Sequence, residues 1–114
     1  MLPKKNRIPR KDFPSHKTHG TRVFTPLFSL VFYKASNNFI ESRASVVVSK
    51  KTAKTAVVRN TLRRRFYELL ASYFKVMSTP TTVVIYPKKE AIKAQFLVLN
   101  KEMEKALKQA KLVK

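Results

Sequence analysis

The sequence has no cysteine, no tryptophan, one glycine and only 6 acidic residues among 114. Without cysteine, disulfides and cysteine-ligated metal sites are excluded. With Gly20 as the single glycine, the glycine-rich loops that bind nucleotide phosphates are excluded too. No apolar run approaches the roughly 20 residues that a membrane-spanning helix needs. The basic start, MLPKKNRIPRKDF, has no apolar segment behind it, so we predict no signal peptide and a cytoplasmic location.

The scarcity of acids also argues against catalysis by this chain alone. A two-metal nuclease needs several convergent carboxylates, and no two acids here fall in a paired arrangement. His16 and His19 are three residues apart, but no third ligand is near, so we favour solvated side chains over a metal site. We therefore expect no catalytic residue and no metal site in the protein.

Basic residues, in contrast, are abundant. Lys and Arg together number 25, which gives a formal net charge of +19. Self-repulsion of this size destabilises a compact chain unless a polyanion is bound. An apolar fraction of 44% with eight Phe and four Tyr argues against disorder. The sequence therefore predicts one domain over residues 1–114, with a basic arm over 1–11, that binds nucleic acid or, as the alternative, an anionic membrane surface.

Alternating side chains predict two strands, at about residues 24–35 and 41–49, and TVVIY, residues 82–86, predicts a third strand that is short and buried. On the first strand, one face is predicted to carry Phe28, Leu30 and Phe32. The opposite face is predicted to carry Leu27, Ser29, Val31 and Tyr33. On the second strand, the residues predicted to face the core are Ala44, Val46 and Val48. The residues on the opposite surface are Arg43, Ser45, Val47 and Ser49.

Apolar residues at three- and four-residue spacing predict two longer helices, at about residues 56–75 and 94–111. The stripe of the first comprises Val58, Leu62, Phe66, Leu69 and Tyr73. The stripe of the second comprises Phe96, Leu99, Met103, Leu107 and Ala110. A short helical turn over residues 11–20 is predicted before the first strand.

The helix over residues 56–75 is also densely charged, with four arginines in seven residues. Like charges at i, i+4 cost a few tenths of a kcal/mol per pair. A helix N-terminus attracts anions, and arginine binds phosphate in a bidentate manner. The sequence therefore predicts a phosphate-binding surface at this end of the helix. Its residues are Lys50, Lys51, Lys54, Arg59, Asn60, Arg63, Arg64 and Arg65.

The segment VSKKTAKTAVVRNTLRRRFYE, residues 48–68, resembles the signature of the protein subunit of bacterial ribonuclease P. That signature reads V-S-K-K, a short gap, and then A-V-x-R-N-x-x-K-R-x-x-R-E. The matching residues here are Val48, Ser49, Lys50, Lys51, Ala56, Val57, Arg59, Asn60, Arg63, Arg64 and Glu68. NRIPRKDF, VVIYPKK and the closing helix extend the likeness over most of the chain. The departures are Arg63 for lysine, Tyr67 for arginine, Lys17 for a second aromatic and Pro87 for a basic residue.

The resemblance implies an α+β fold similar to that of some ribosomal proteins. Three helices and a four-stranded mixed sheet would form an α/β sandwich with a left-handed βαβ crossover, although about 98% of such crossovers are right-handed. The crossover would run from strand 41–49 through the arginine helix to strand 82–86. The fourth strand is either separate, around Arg22 to Thr25, or arises from a bend of the first strand at Pro26.

The resemblance also implies a function. A large catalytic RNA with bound Mg²⁺ would remove the 5′ leader from precursor tRNA, and this chain would be its accessory subunit. The lysines and arginines would bind the catalytic RNA. A groove for the single-stranded leader, where bases can stack on aromatic side chains, would comprise Phe13, Ser29, Val31, Tyr33, Ser45 and Val47.

Three other interpretations stay open from the sequence. A ribosomal or other structural RNA-binding protein would share size, charge and fold class but need no leader groove. A DNA-compacting protein is less favoured, because no dimerisation element or minor-groove arm is evident. A membrane-surface protein needs an exposed apolar face, and core packing accounts for the apolar stripes here. We therefore expect neither DNA nor a membrane as a partner.

Overall fold

The computed structural model describes residues 20–34, 42–76 and 81–112. They form β1 (Thr21–Phe24), β2 (Phe28–Lys34), β3 (Arg43–Val46), α1 (Ala56–Phe74), β4 (Thr81–Pro87), α2 (Glu90–Lys93) and α3 (Phe96–Gln109). The strands make one sheet in the order β1-β2-β4-β3, in which β3 and β4 are parallel and the other pairs antiparallel. The predicted α+β class, with a four-stranded mixed sheet and three helices, is confirmed.

The three helices are not quite the three that were predicted. The helical turn expected over 11–20 falls outside the described residues, apart from Gly20. The extra helix, α2, is a single turn after β4, too short for a helical period to be visible in the sequence. Helix α1 has the predicted extent, and its N-cap Thr55 accepts a hydrogen bond from the backbone N–H of Val58 at 3.2 Å.

The connection between β1 and β2 decides the origin of the fourth strand. The Thr25 hydroxyl donates to the carbonyl of Phe28 at 2.9 Å and accepts from the backbone N–H groups of Leu27 and Phe28. These bonds close a tight reversal around Pro26, so the chain returns along β2 instead of bending. The separate strand, one of the two alternatives, is the correct one.

All three helices of the described ranges pack on one face of the sheet, which we call the inner face. The strand residues buried there include Val23, Phe28, Leu30, Ala44, Val46, Val83 and Ile85. They meet the buried stripe of α1, where the rings of Phe28 and Phe66 lie 5.4 Å apart edge to face. The alternation predicted for the first two strands is confirmed by this burial. In the predicted apolar stripe of the closing helix, Phe96 is an exception to burial. It is the first residue of α3, and it is 45% exposed.

The parallel pair β3 and β4 flanks α1 in sequence, as the predicted crossover requires. Its left-handedness stays a prediction from the resemblance. Within the described ranges, no helix is long and apolar enough to cross a membrane.

Candidate nucleic-acid interface

The loop between β3 and α1 presents lysines on a hydrogen-bonded turn. The carbonyl of Ser49 accepts from the backbone N–H groups of Thr52 and Ala53, both at 3.1 Å. The hydroxyls of Ser49 and Thr52 are 3.0 Å apart, in a further hydrogen bond. Lys50 and Lys51 at the tip are exposed. The turn therefore holds two positive charges in solvent, directly before the N-terminus of α1.

Arg59 connects that loop to the helix. One terminal nitrogen, Nη1, donates to the carbonyls of Ala53 at 2.9 Å and Lys54 at 3.1 Å. The side chain is half-buried, so Arg59 holds the backbone that carries the lysines besides contributing its own charge. The sequence pattern gave no sign of these bonds, because an arginine–carbonyl contact follows no periodicity.

The remaining arginines extend the positive surface along α1. Arg63 donates from Nη1 to Oδ1 of Asn60 at 2.7 Å, so these two side chains are held together. Arg64 is exposed, while Arg63 and Arg65 are half-buried. We call the eight predicted residues at this end the arginine face: Lys50, Lys51, Lys54, Arg59, Asn60, Arg63, Arg64 and Arg65.

Acids do not neutralise the arginine face in the part of the chain that the structure describes. Both ion pairs found there lie on α3, between Lys105 and Glu102 at 4.0 Å and between Lys108 and Glu104 at 2.8 Å. In the second pair, the hydrogen bond from Lys108 lowers the pKa of the Glu104 carboxyl. Concentrated, uncompensated arginine beside a helix N-terminus favours an anionic ligand.

We expect sulfate to raise the melting temperature of the isolated protein. Sulfate bound at the arginine face stabilises only the folded state, and the shift should grow with the logarithm of its concentration. Thermal unfolding followed by circular dichroism measures this, with sodium chloride at matched ionic strength as the control. Equal stabilisation by chloride would mean that screening of the +19 charge suffices and no anion site exists.

The sheet face opposite the helices, the outer face, brings the predicted groove residues together. Across the strands, Val31 pairs with Val84 and Val84 with Ser45. Ser29 and Tyr33 flank Val31 on the same side of β2, as Val47 flanks Ser45 after β3. The face therefore collects Ser29, Val31, Tyr33, Ser45 and Val47. Phe13, the sixth predicted member, lies outside the described residues.

Burial distinguishes one member of this face from the others. Val31 is 4% exposed and its neighbour Val84 only 1%, so the centre of the face is covered. Val31 therefore supports the surface and is not accessible to a ligand in this structure. Tyr33 is half-buried, and Val47 is 37% exposed.

The residues of the outer face that were not predicted include Arg22, Phe24 and Tyr86. Phe24 and Tyr86 both pair with Ser29, from β1 and β4 respectively. Phe24 is 65% exposed and Tyr86 36%. Burial raises the pKa of Tyr86, the neighbouring Tyr33 raises it further and Arg22 opposes them, so the phenol is neutral near pH 7. Alternation along residues 82–86 would place Tyr86 on this face, but the sequence analysis predicts only a short buried strand there.

The exposed aromatics lie at the same end of the sheet as the lysine turn. Because β3 and β4 are parallel, their carboxyl ends meet at one end of the sheet. β2 begins and β1 ends at that same end, since both neighbouring pairs are antiparallel. Phe24 and Tyr86 therefore flank the end from which the chain continues through Val47 to Lys50. Aromatic surface for bases and positive charge for phosphates are thus adjacent.

The structure shows hydrogen bonds at or beside two of the positions that depart from the signature. The Tyr67 hydroxyl accepts from the backbone N–H of Val46 at 3.2 Å, on the outer edge of β3. Tyr67 therefore provides an acceptor for a backbone N–H group that would otherwise be unpaired at the edge of the sheet. After Pro87, which ends β4, the Lys88 ammonium donates to the carbonyl of Thr25 at 2.7 Å. Lys17 lies outside the described residues.

Comparison with known proteins finds a family that matches most of the chain. The family model for ribonuclease P matches residues 2–111. A ribonuclease P protein component of Rickettsia bellii is 33% identical over 108 residues, covering 86% of this chain and 87% of the relative. One from Pseudanabaena sp. is 29% identical over 114 residues, covering 99% and 97%.

A solved structure shares the fold. It is a Staphylococcus aureus RNase P protein, described as a mutant with defective mRNA degradation activity. Its TM-score is 0.83 at 24% identity, and the match covers 96% of this chain and 91% of that one. The family model over residues 2–111 and the two relatives confirm the resemblance found in the sequence.

Proposed function

Because this chain belongs to the ribonuclease P protein family, and so is a subunit that acts in tRNA processing, we propose that its two surfaces bind two different RNAs. The arginine face binds the ribonuclease P RNA, and the outer sheet face binds the single-stranded 5′ leader of precursor tRNA. The alternative of a ribosomal protein without a processing role is not favoured, since both curated relatives are ribonuclease P components.

The observation that carries this proposal is the adjacency of uncompensated arginines and exposed aromatics at one end of the sheet. Arginine forks bind phosphate of any sequence, as assembly with a folded RNA requires. Aromatic faces stack bases of any sequence, as leaders of varying sequence require. Phe24 and Tyr86 at that end, and Tyr33 further along β2, would supply the stacking surface for the leader, beside Lys50 and Lys51 of the arginine face.

We propose an accessory, non-catalytic role for the protein. In the described ranges, no three His, Asp or Glu side chains are grouped so that they could hold a metal ion. Mg²⁺ would be held mainly by the catalytic RNA, whose phosphates suit a hard cation. The protein would contribute by reducing repulsion between two polyanions and by holding the leader beside the RNA active site.

Reconstitution tests this function. The protein is expected to stimulate release of the 5′ leader from precursor tRNA by a bacterial ribonuclease P RNA at low Mg²⁺, where charge repulsion limits the RNA alone. The protein freed of RNA should release none. Metal-dependent cleavage by RNA-free protein, abolished by changing one of its own acids, would contradict the non-catalytic role. Co-sedimentation with ribosomes without any stimulation would instead support the ribosomal alternative.

A further inference from the structure

Gly20 lies directly before β1 and beside the ring of Tyr33. The β1–β2 register pairs Thr21 with Phe32, so one residue further along, Gly20 reaches Tyr33. Gly20 is the single glycine of the chain. Its place at the outer face raises the question of what a side chain there would contact.

A side chain at this position would collide with the outer face. A Cβ on Gly20 would lie 2.5 Å from Cε1 and 2.8 Å from Cζ of Tyr33, and 2.7 Å from Cγ1 of Val31. Carbon atoms in van der Waals contact are about 3.5–4.0 Å apart. The Tyr33 ring therefore packs directly on the backbone of Gly20, in space that any other residue would fill.

The backbone conformation does not explain the glycine. No glycine in the described ranges has a positive φ, so alanine could adopt the same conformation without strain. The requirement at position 20 is close approach alone. Because Val31 is buried beneath and the ring is the movable end of its side chain, an added methyl group would displace the Tyr33 ring.

We propose that Gly20 is a positioning residue for leader binding: its bare backbone is the surface that sets the Tyr33 ring in its stacking position. This inference rests on the proposed function of the outer face. Tyr33 and Tyr86 lie on the same outer face, with Tyr33 four residues along β2 from Ser29, the partner of Tyr86. A displaced Tyr33 ring would therefore alter the part of the stacking surface that lies away from Phe24 and Tyr86.

The test measures leader binding in the assembled complex with ribonuclease P RNA. The measured quantity is the ratio of affinities for precursor tRNA and mature tRNA, which isolates the leader. Gly20→Ala is expected to lower this ratio by about twofold or more, since groups in direct contact are coupled. Thr21→Ala is the matched control, because Thr21 is the next residue and its exposed side chain lies on the other face of β1.

The double variant distinguishes positioning from a general effect. In a Tyr33→Ala background there is no ring to displace, so Gly20→Ala should lower the ratio no further. Equal losses in both backgrounds would overturn the inference. If Gly20→Ala alone fails to fold, folding restored by Tyr33→Ala supports the packing, and unfolding in both backgrounds overturns it.

Failure of the inference and failure of the proposed function give different results. If Tyr33→Ala lowers the ratio and Gly20→Ala does not, the leader surface stands and Gly20 has no positioning role. If Phe24→Ala, Tyr33→Ala and Tyr86→Ala all leave the ratio unchanged, the outer face does not bind the leader and both are overturned.

Discussion

Replacing Lys54, Arg63 and Arg64 together with alanine is expected to reduce the salt dependence of binding to ribonuclease P RNA by about two to three units of log–log slope. Each neutralised phosphate contributes about 0.7–0.9 to that slope. Lys54 and Arg64 are exposed, and Arg63 contacts the Asn60 side chain, so none of the three holds the backbone through a side-chain bond that the structure describes. Arg59 stays in place because it holds the loop.

The measurement is the binding constant over a series of salt concentrations. The matched control replaces Lys75, Lys93 and Lys101, three exposed lysines at the end of α1, on α2 and on α3. Both triple variants lower the net charge by the same amount, so a general charge effect would move them alike. If the arginine face binds RNA phosphates, the control should keep most of the slope. Equal slopes for both variants would mean that the arginines are merely solvated.

Removing the exposed aromatics of the outer face should produce a large loss confined to the leader. Phe24→Ala and Tyr86→Ala are each expected to weaken binding of precursor tRNA to the assembled complex by about 1–3 kcal/mol if each ring stacks one base. That is about a 5- to 150-fold change in the binding constant. Because both rings are exposed, their removal leaves the core intact and folding should be unaffected.

Phe96→Ala is the matched control for these two variants. Phe96 is also an exposed aromatic, but it begins α3, in the helix layer against the inner face of the sheet. Equilibrium binding of precursor and mature tRNA by the same assembled complexes measures the effect. We expect no change for Phe96→Ala with either RNA, and no change for Phe24→Ala or Tyr86→Ala with mature tRNA. Equal losses with both RNAs would exclude a leader surface.

Much of the fold was predictable because strong periodic signals coincide with burial. The stripe through Leu62, Phe66 and Leu69 gave α1 almost to the residue, and alternation around Leu30 gave the two faces of β2. The order of the strands was not predicted, since the family resemblance implied only a mixed sheet with a βαβ crossover. Strand pairing depends on contacts distant in sequence, which no local pattern records.

The candidate site was predictable where it depends on composition, and not where it depends on particular contacts. The arginine face follows from charge density in one helix. The bonds from Arg59 to two loop carbonyls, the burial of Val31 and the packing of Tyr33 on Gly20 depend on three-dimensional proximity. Phe24 was missed because it was assigned to the start of the strand that became β2 and not to β1.

The central claim is that two surfaces of this small domain bind two RNAs. It is tested most directly by measuring each variant twice, first by titrating the protein into ribonuclease P RNA and then by binding tRNA to the complex assembled at saturating concentrations. The measured quantities are the affinity of assembly and the ratio of precursor to mature tRNA affinities. The account predicts that the Lys54, Arg63 and Arg64 variant weakens assembly with the ratio unchanged, and that Tyr86→Ala lowers the ratio with assembly unchanged. Parallel losses in both quantities for both variants would contradict it, because they would show a single undivided RNA-binding surface.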